Sequence, residues 1–422
     1  LTPGEKPSNG GIVIKRELIE KVPKTDLHVH LDGSVRPETL IELAREYGVT
    51  LPSYTPEGLM ETVYKEKYAS LEEYLQGFGY AISVLQSEPA LERAAYELAC
   101  DNQDEGVRYV EVRFAPQLHV HSHLSIENVL KSVNRGLERA RSEFNLRPEV
   151  ASGEEPEFEY SIVVCALRYF EKGLCEYYDT ILGVHRFTRP RSVFSLASRE
   201  LSHAAVRIRK EYGLPIMGFD LAGREAGNPA VDHRRAYQYA HRNFLMKTVH
   251  AGEAYGPESI FQAITELHAD RIGHGTYLLQ TDMITNSAIE DRERYVEELA
   301  QYIADRRITM EICLTSNMQT NPKLERLEEH PYLGMKERRL STTFCTDNRT
   351  VSRTTVSNEI ELAVKHLGVT PAELKRCVIY GFKRSFFPGT YLQKRRYVRR
   401  IIDYYEALEE AHPDLRPNQE TD

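Results

Sequence analysis

Lys24-Thr25-Asp26-Leu27-His28-Val29-His30-Leu31-Asp32-Gly33 is the stretch that decides the fold. Thr25–His30 is a short β-rich run that stops in polar residues. His28 and His30 are two apart, so on a strand they share one face. Two imidazoles about 6–7 Å apart along the backbone can converge on one metal ion, although partly buried, hydrogen-bonded histidines show the same spacing. Seven more such runs follow along the chain: Val107–Phe114, Tyr160–Leu167, Ile216–Leu221, Lys247–His250, Arg271–Gly273, Thr309–Leu314 and Ser341–Thr346. Helical patterns separate them at Pro37–Tyr47, Leu91–Glu105, Ile126–Phe144, Ser195–Tyr212, Pro229–Asn243, Pro257–Ala269 and Ile289–Asp305. Eight strands alternating with helices predict an α/β fold, a closed parallel (β/α)8 TIM barrel. Such barrels carry their chemistry at the C-terminal ends of the strands, so residues suited to catalysis should gather where each run stops.

They do gather there. The fifth run closes on His250-Ala251-Gly252-Glu253. Its small residues let the chain turn tightly, and Glu253 can then face the same pocket. A helix-terminal carboxylate is the plain alternative for Glu253. The sixth run ends in Gly273-His274-Gly275, a histidine open to close approach or simply a loop histidine. The eighth ends in Thr346-Asp347-Asn348. Asp347 there is an oxygen ligand, an Asx turn or a helix cap. The fourth run stops at Asp220-Leu221-Ala222-Gly223-Arg224-Glu225 and the seventh at Thr315-Ser316-Asn317. The joint placement at successive strand ends is a stronger signal than any single segment.

Composition bounds the function. The 422 residues are 41% hydrophobic, enough for a large core. A formal net charge of −9 argues against a nucleic-acid binder, which needs a basic surface. Six cysteines are scattered without a CxxC pair, so neither a disulfide framework nor a thiolate zinc site is indicated, which fits a cytoplasmic protein. No apolar run of about 18 residues predicts a membrane span. Residues 1–20, polar and rich in Gly and Pro at the start, are expected to form a flexible arm; 21–410 a single barrel; and 411–422 a polar tail. The stretch Asn145–Phe158 is the most linker-like, and suits a loop within one domain as well as a boundary.

The motifs KTDLHVHLDGS (24–34), DLAGRE (220–225), KTVHAGE (247–253), DRIGHGT (270–276), CLTSN (313–317) and CTDN (345–348) resemble, in that order, the fingerprints of the adenosine deaminase family of metal-dependent amidohydrolases. The resemblance runs from about Val22 to Arg384. It implies one zinc ion per chain, with His28, His30, His250 and Asp347 as ligands. It implies hydrolytic removal of the purine 6-amino group, with Glu253 giving a proton to N1 and His274 orienting the attacking water. It further implies that Asp32 accepts from the ribose 5′-hydroxyl, that the Gly223 backbone donates to N3, and that residue 348 faces N7. Many members carry aspartate at that last position; Asn348 departs from it but can still donate to N7. A helical insertion after the first strand caps the pocket in this family, which assigns Leu71 and Phe78 to its wall.

The substrate so implied is a small purine nucleoside, adenosine or 2′-deoxyadenosine. Alternatives are adenine, a 5′-modified adenosine, or a non-catalytic binding protein on the same fold. The last fits poorly with Glu253 and His274, which metal binding alone does not need. No bridging lysine of the kind used by binuclear ester or phosphotriester hydrolases is evident. Neither nucleic acid nor membrane is an expected partner, and oligomeric state is left open. His119, His121 and His123 mimic a metal motif but fall in a polar loop. Lys394–Arg396 with Arg399 and Arg400 reads as a solvated helix face. Tyr68, Tyr74 and Phe78 recur at helical spacing as a packing face. Arg113 and Arg168 read as structural ion pairs.

Overall fold

The computed structural model describes residues 14–416. Its strands are β1 (Lys24–His30), β2 (Val107–Phe114), β3 (Glu159–Leu167), β4 (Ile216–Ala222), β5 (Met246–Ala251), β6 (Arg271–His274), β7 (Thr309–Ile312) and β8 (Thr342–Phe344). They lie in sequence order and every neighbouring pair is parallel. Just past β8, Asp347 bridges Val29, exchanging backbone bonds with His28 and His30 at 2.7 Å each and closing the ring. The expected α/β barrel is therefore present.

The strand residues explain the two-sided burial. On β2, Glu111 and Arg113 point into the barrel, where Arg113 reaches Asp220 and Glu311. The alternate residues Val110 and Val112 face the helices and are fully buried, as strand periodicity requires. Helices Glu88–Asp104 and Ile126–Asn145 pack together outside β2, each started by a serine that accepts a bond from the first turn. They touch closely at Gly136, where a Cβ would come within 2.2 Å of the Glu92 carbonyl.

Below the mouth, the inward layer is charged rather than aliphatic. Glu311 accepts from Arg113 (2.9 Å), Arg271 (2.7 Å) and Thr248 (3.0 Å), while Asp220 accepts from Arg113 (3.1 Å). Arg271 also pairs with Glu111. Each carboxylate of this layer thus has a cation, which is what makes its burial tolerable.

Several boundaries differ from expectation. β7 ends at Ile312, and Leu314–Thr320 is a helix. A short apolar run at a buried strand end does not distinguish the two periods. Arg16–Lys21, which crosses the end of the stretch expected to be a flexible arm, is a helix with Leu18 and Ile19 buried; residues 1–13 lie outside the described residues. Within the expected tail, Pro413–Leu415 forms one turn with Leu415 buried, and 417–422 lie outside the described residues. The linker-like stretch is a closed loop: Asn145 donates to the Phe158 carbonyl (3.0 Å) and accepts from its N–H (2.8 Å). Among the described residues no helix is long and apolar enough to cross a membrane.

Between β1 and β2 lies a helical insertion that includes Leu71–Gln76 and Phe78–Val84. Tyr74 packs edge-on between Tyr68 (5.1 Å) and Phe78 (5.8 Å). This packing face also forms a wall of the cavity at the mouth, which Leu71, Tyr74 and Phe78 line.

Candidate functional site

His28 and His30 lie in the last three residues of β1, His250 is the last residue but one of β5, and Asp347 follows β8. Their nearest ligand atoms lie within 4.8 Å of one another, although the residues are up to 319 positions apart in the chain. His30 Nε2 faces His250 Nε2 at 3.1 Å, and Asp347 Oδ1 is 3.3 Å from His28 Nε2 and 3.5 Å from His30 Nε2.

Carboxylates behind the imidazoles set their tautomers. His28 Nδ1 meets Glu311 at 2.8 Å and His250 Nδ1 meets Asp220 at 3.0 Å. Arg113 and Arg271 hold the Glu311 carboxyl well below the usual range against the opposing effect of burial, and His250 with Arg113 do the same for Asp220. Charged carboxylates accept Nδ1–H and leave Nε2 lone pairs turned inward. His28 Nε2 is buried without a hydrogen-bond partner. Three inward imidazole nitrogens and one carboxylate oxygen fit a tetrahedral N/O metal ion such as zinc. Burial would raise Asp347, but His28, His274 and His30 hold it low, and Ser316 donates to its Oδ2 at 2.6 Å.

Glu253 and His274 stand beside this cluster, with His274 Nε2 3.6 Å from Glu253 Oε1. The Glu253 side chain is only 6% exposed. Burial, then the charges of Asp347 and Glu225, push its carboxyl well above the ordinary value, which favours its protonated form. Burial drives His274 well below its ordinary value, so it is neutral. Asn317 Nδ2 lies 3.0 Å from His274 Nδ1. The loop bearing Glu253 is pinned by Glu225, which accepts from the N–H groups of Gly252, Glu253, Ala254 and Tyr255 at 2.6–3.0 Å.

Two non-glycine residues of the site are left-handed, His274 (φ 65°) and Asp347 (φ 61°). Such a conformation costs about 1–3 kcal/mol and persists where the surroundings impose it. Gly273 must be glycine for a different reason: a Cβ would sit 2.9 Å from His28 Cε1.

The cavity over these groups has a volume of about 570 Å³. Asp32, Gly223, Asn348, Leu71 and Phe78 all line it, as do His30, His250, Glu253, His274 and Asp347. Asp32 is buried with Oδ1 unpartnered, and burial raises its carboxyl to about 6. Asn348 Nδ2 donates to Tyr74 Oη at 2.7 Å, while its Oδ1 has no partner. At the rim, Arg224 pairs with Glu72 of the insertion at 3.2 Å.

Other expectations resolve differently. His119 bonds the Leu85 carbonyl (2.9 Å) and His121 the Gln86 carbonyl (3.1 Å), so that motif ties a loop down. Arg113 is an ion pair as expected. Arg168 instead donates to two carbonyls, of His250 (2.6 Å) and Asn228 (2.8 Å). The supporting roles of Glu311, Asp220 and Glu225 were not assigned from the sequence. Asp220 and Glu225 stood in a quoted motif, whereas Glu311 inside an apolar run gave only the signal of a charge out of place.

The adenosine deaminase family model matches residues 23–197 and 189–404. Adenosine deaminase 1 of Streptomyces coelicolor is 34% identical over 88% of this chain and 84% of that protein. The crystal structure of N6-mAMP deaminase from Arabidopsis is 25% identical with a TM-score of 0.69, covering 92% of this chain and 99% of that one. An amidohydrolase from Burkholderia ambifaria, solved with bound Zn, shares the fold at 20% identity and a TM-score of 0.72, over 95% of this chain and 97% of that one. With these matches laid over the eight strand ends just described, the chain belongs to the adenosine deaminase family.

Proposed function

We propose that this chain is a zinc-dependent hydrolase that converts adenosine and 2′-deoxyadenosine to inosine and 2′-deoxyinosine, with release of ammonia. The observation that carries this reading is the buried Glu253 carboxyl set beside His274 and the His28–His30–His250–Asp347 cluster under one cavity. Zinc held by those four residues supplies Lewis-acid activation of the attacking water. Every other part of the chemistry falls to side chains of the chain itself. Glu253 delivers a proton to N1 as oxygen adds to C6, which removes the negative charge that would build on the ring. His274 meets the oxygen that gains charge at C6. The C6–N bond then breaks. Of the two water protons, one ends on N1 and the other on the departing ammonia, while the oxygen stays on C6.

The wall chemistry favours a nucleoside. Asp32, with an unpartnered buried oxygen, needs a hydroxyl donor, which ribose has and a free base lacks. The acidic residues lining the cavity are Asp32, Glu72, Glu171, Glu253 and Asp347, against the single arginine Arg224, which Glu72 already pairs. A 5′-phosphate would meet an acidic wall. All six cysteines are free thiols, which suits a reducing cytosol. Asp32→Ala tests the substrate assignment: it should lower kcat/KM for adenosine by about tenfold or more, the worth of one buried charged hydrogen bond, and leave any turnover of adenine unchanged. Equal losses on both would contradict it.

A further inference from the structure

An imidazole with one ring proton has two tautomers, and at the position of His274 they do opposite things: one presents a proton at Nε2, the other a lone pair. A chain of buried hydrogen bonds decides between them. It starts at the backbone N–H of Tyr332, 3.1 Å from His330 Nδ1. A backbone N–H can only donate, so His330 Nδ1 must accept. His330 is 2% exposed and burial pushes it down to about 3, so it is neutral and its one proton sits on Nε2. That proton points at the Asn317 side chain, 3.2 Å away. The receiving atom must be Oδ1, which fixes the amide with Nδ2 on the far side. Nδ2 then donates across 3.0 Å to His274 Nδ1.

We propose that His330 and Asn317 are positioning residues that fix the tautomer of His274, placing its single ring proton on Nε2, toward the reaction site. The Tyr332 backbone N–H sets each donor and acceptor in turn, so the amide orientation of Asn317 follows from it. All three side chains are at most 2% exposed, so water does not compete for the links. His274 Nε2 has no partner of its own and looks toward Glu253. His274 is therefore a hydrogen-bond donor to the reacting oxygen and takes no proton at Nε2. The proton that the attacking water gives up must go to a carboxylate. This consequence rests on the proposed deamination; the tautomer itself does not.

Neutron diffraction on deuterium-exchanged, zinc-loaded protein tests the relay directly. The expected map has deuterium on Nε2 of both His330 and His274 and none on either Nδ1. Deuterium on His274 Nδ1 would overturn the proposal. Asn317→Asp is close to isosteric and reverses the relay, because a carboxylate accepts from both rings; deuterium should move to His274 Nδ1. In that variant kcat for adenosine should fall at least tenfold, with KM within twofold and zinc content unchanged. His330→Leu, which removes the anchor, should give a smaller fall in kcat with the same KM. An unchanged kcat in Asn317→Asp would remove the positioning role. Inactivity of the wild type toward adenosine would instead sink the proposed substrate and leave the deuterium positions standing as the test of the relay.

Discussion

The barrel interior holds two polar layers that look alike in composition and differ in how they are satisfied. In the lower layer Glu111, Glu311 and Asp220 are each matched to Arg113 or Arg271. In the upper layer His28 Nε2, His274 Nε2, Asp32 Oδ1 and Asn348 Oδ1 are buried with no partner. Buried polar atoms are normally paired, so unpaired ones mark where a metal ion, water or substrate belongs. The lower layer is scaffolding, aimed upward through the Nδ1 atoms of His28 and His250. In the proposed reaction the upper layer is the part that reacts.

Changes in the upper layer should be the more costly to turnover and the less costly to folding. The largest effect expected is that of Glu253→Gln, which keeps the shape but not the proton: kcat should fall by about 10³-fold while zinc content and melting temperature hold. Substantial retained turnover, by ammonia release, would remove Glu253 from the mechanism.

In the lower layer Glu311→Gln should act the other way round. It leaves Arg113 and Arg271 short of a counter-charge and so should cost about 3–5 kcal/mol in chemical denaturation. It also unseats the Nδ1 partner of His28, so zinc affinity should drop about 10–100-fold. A variant with native stability and full zinc occupancy would show that the two layers are not coupled.

A third carboxylate sharpens the contrast. Glu359 is fully buried and has only hydroxyl and backbone donors, from Thr315 and Thr354, where Glu311 has two arginines. Burial raises it from 4.5 to about 7. The folded state therefore holds a proton across pH 4.5–7 that the unfolded chain releases, so this contribution to stability is complete below that window and is lost as pH rises through it. The loss amounts to at most about 3 kcal/mol. Urea titrations across that range should show the slope in the wild type and a flatter one in Glu359→Gln. Identical slopes would mean that Glu359 stays ionised.

The smallest effect belongs to the cavity wall. Leu71→Ala and Phe78→Ala should raise KM for adenosine about three- to tenfold with little change in kcat, since each removes apolar contact worth about 1 kcal/mol. Unchanged KM in folded protein would take the insertion out of substrate binding.

The sequence made the upper layer visible because its residues sit at strand ends, where the chain stops being apolar: His28, His30, His250, His274 and Asp347 break their own runs. The lower layer was harder to see for a physical reason. Glu311 matters through partners on β1, β2, β5 and β6, and cross-barrel pairing leaves no trace in local spacing. His330 is hidden in the same way: it lies in a loop, and only the fold brings it to Asn317. The amphipathic spacing of Tyr68, Tyr74 and Phe78 gave their packing but not that Tyr74 would hold the Asn348 amide. Leu314 was misplaced because a buried helix turn and a buried strand end share one apolar pattern. Leu18 and Ile19 were missed because the arm was read from its polar, Gly- and Pro-rich start, and a helix of six residues is too short to show a period.

Ammonia release by zinc-loaded protein, offered adenosine, 2′-deoxyadenosine, adenine and adenosine 5′-monophosphate side by side, tests the proposed deamination. Turnover of the two nucleosides, with the free base and the nucleotide at least tenfold poorer in kcat/KM, is the predicted result. Zinc bound, fold intact and no ammonia from either nucleoside would contradict it.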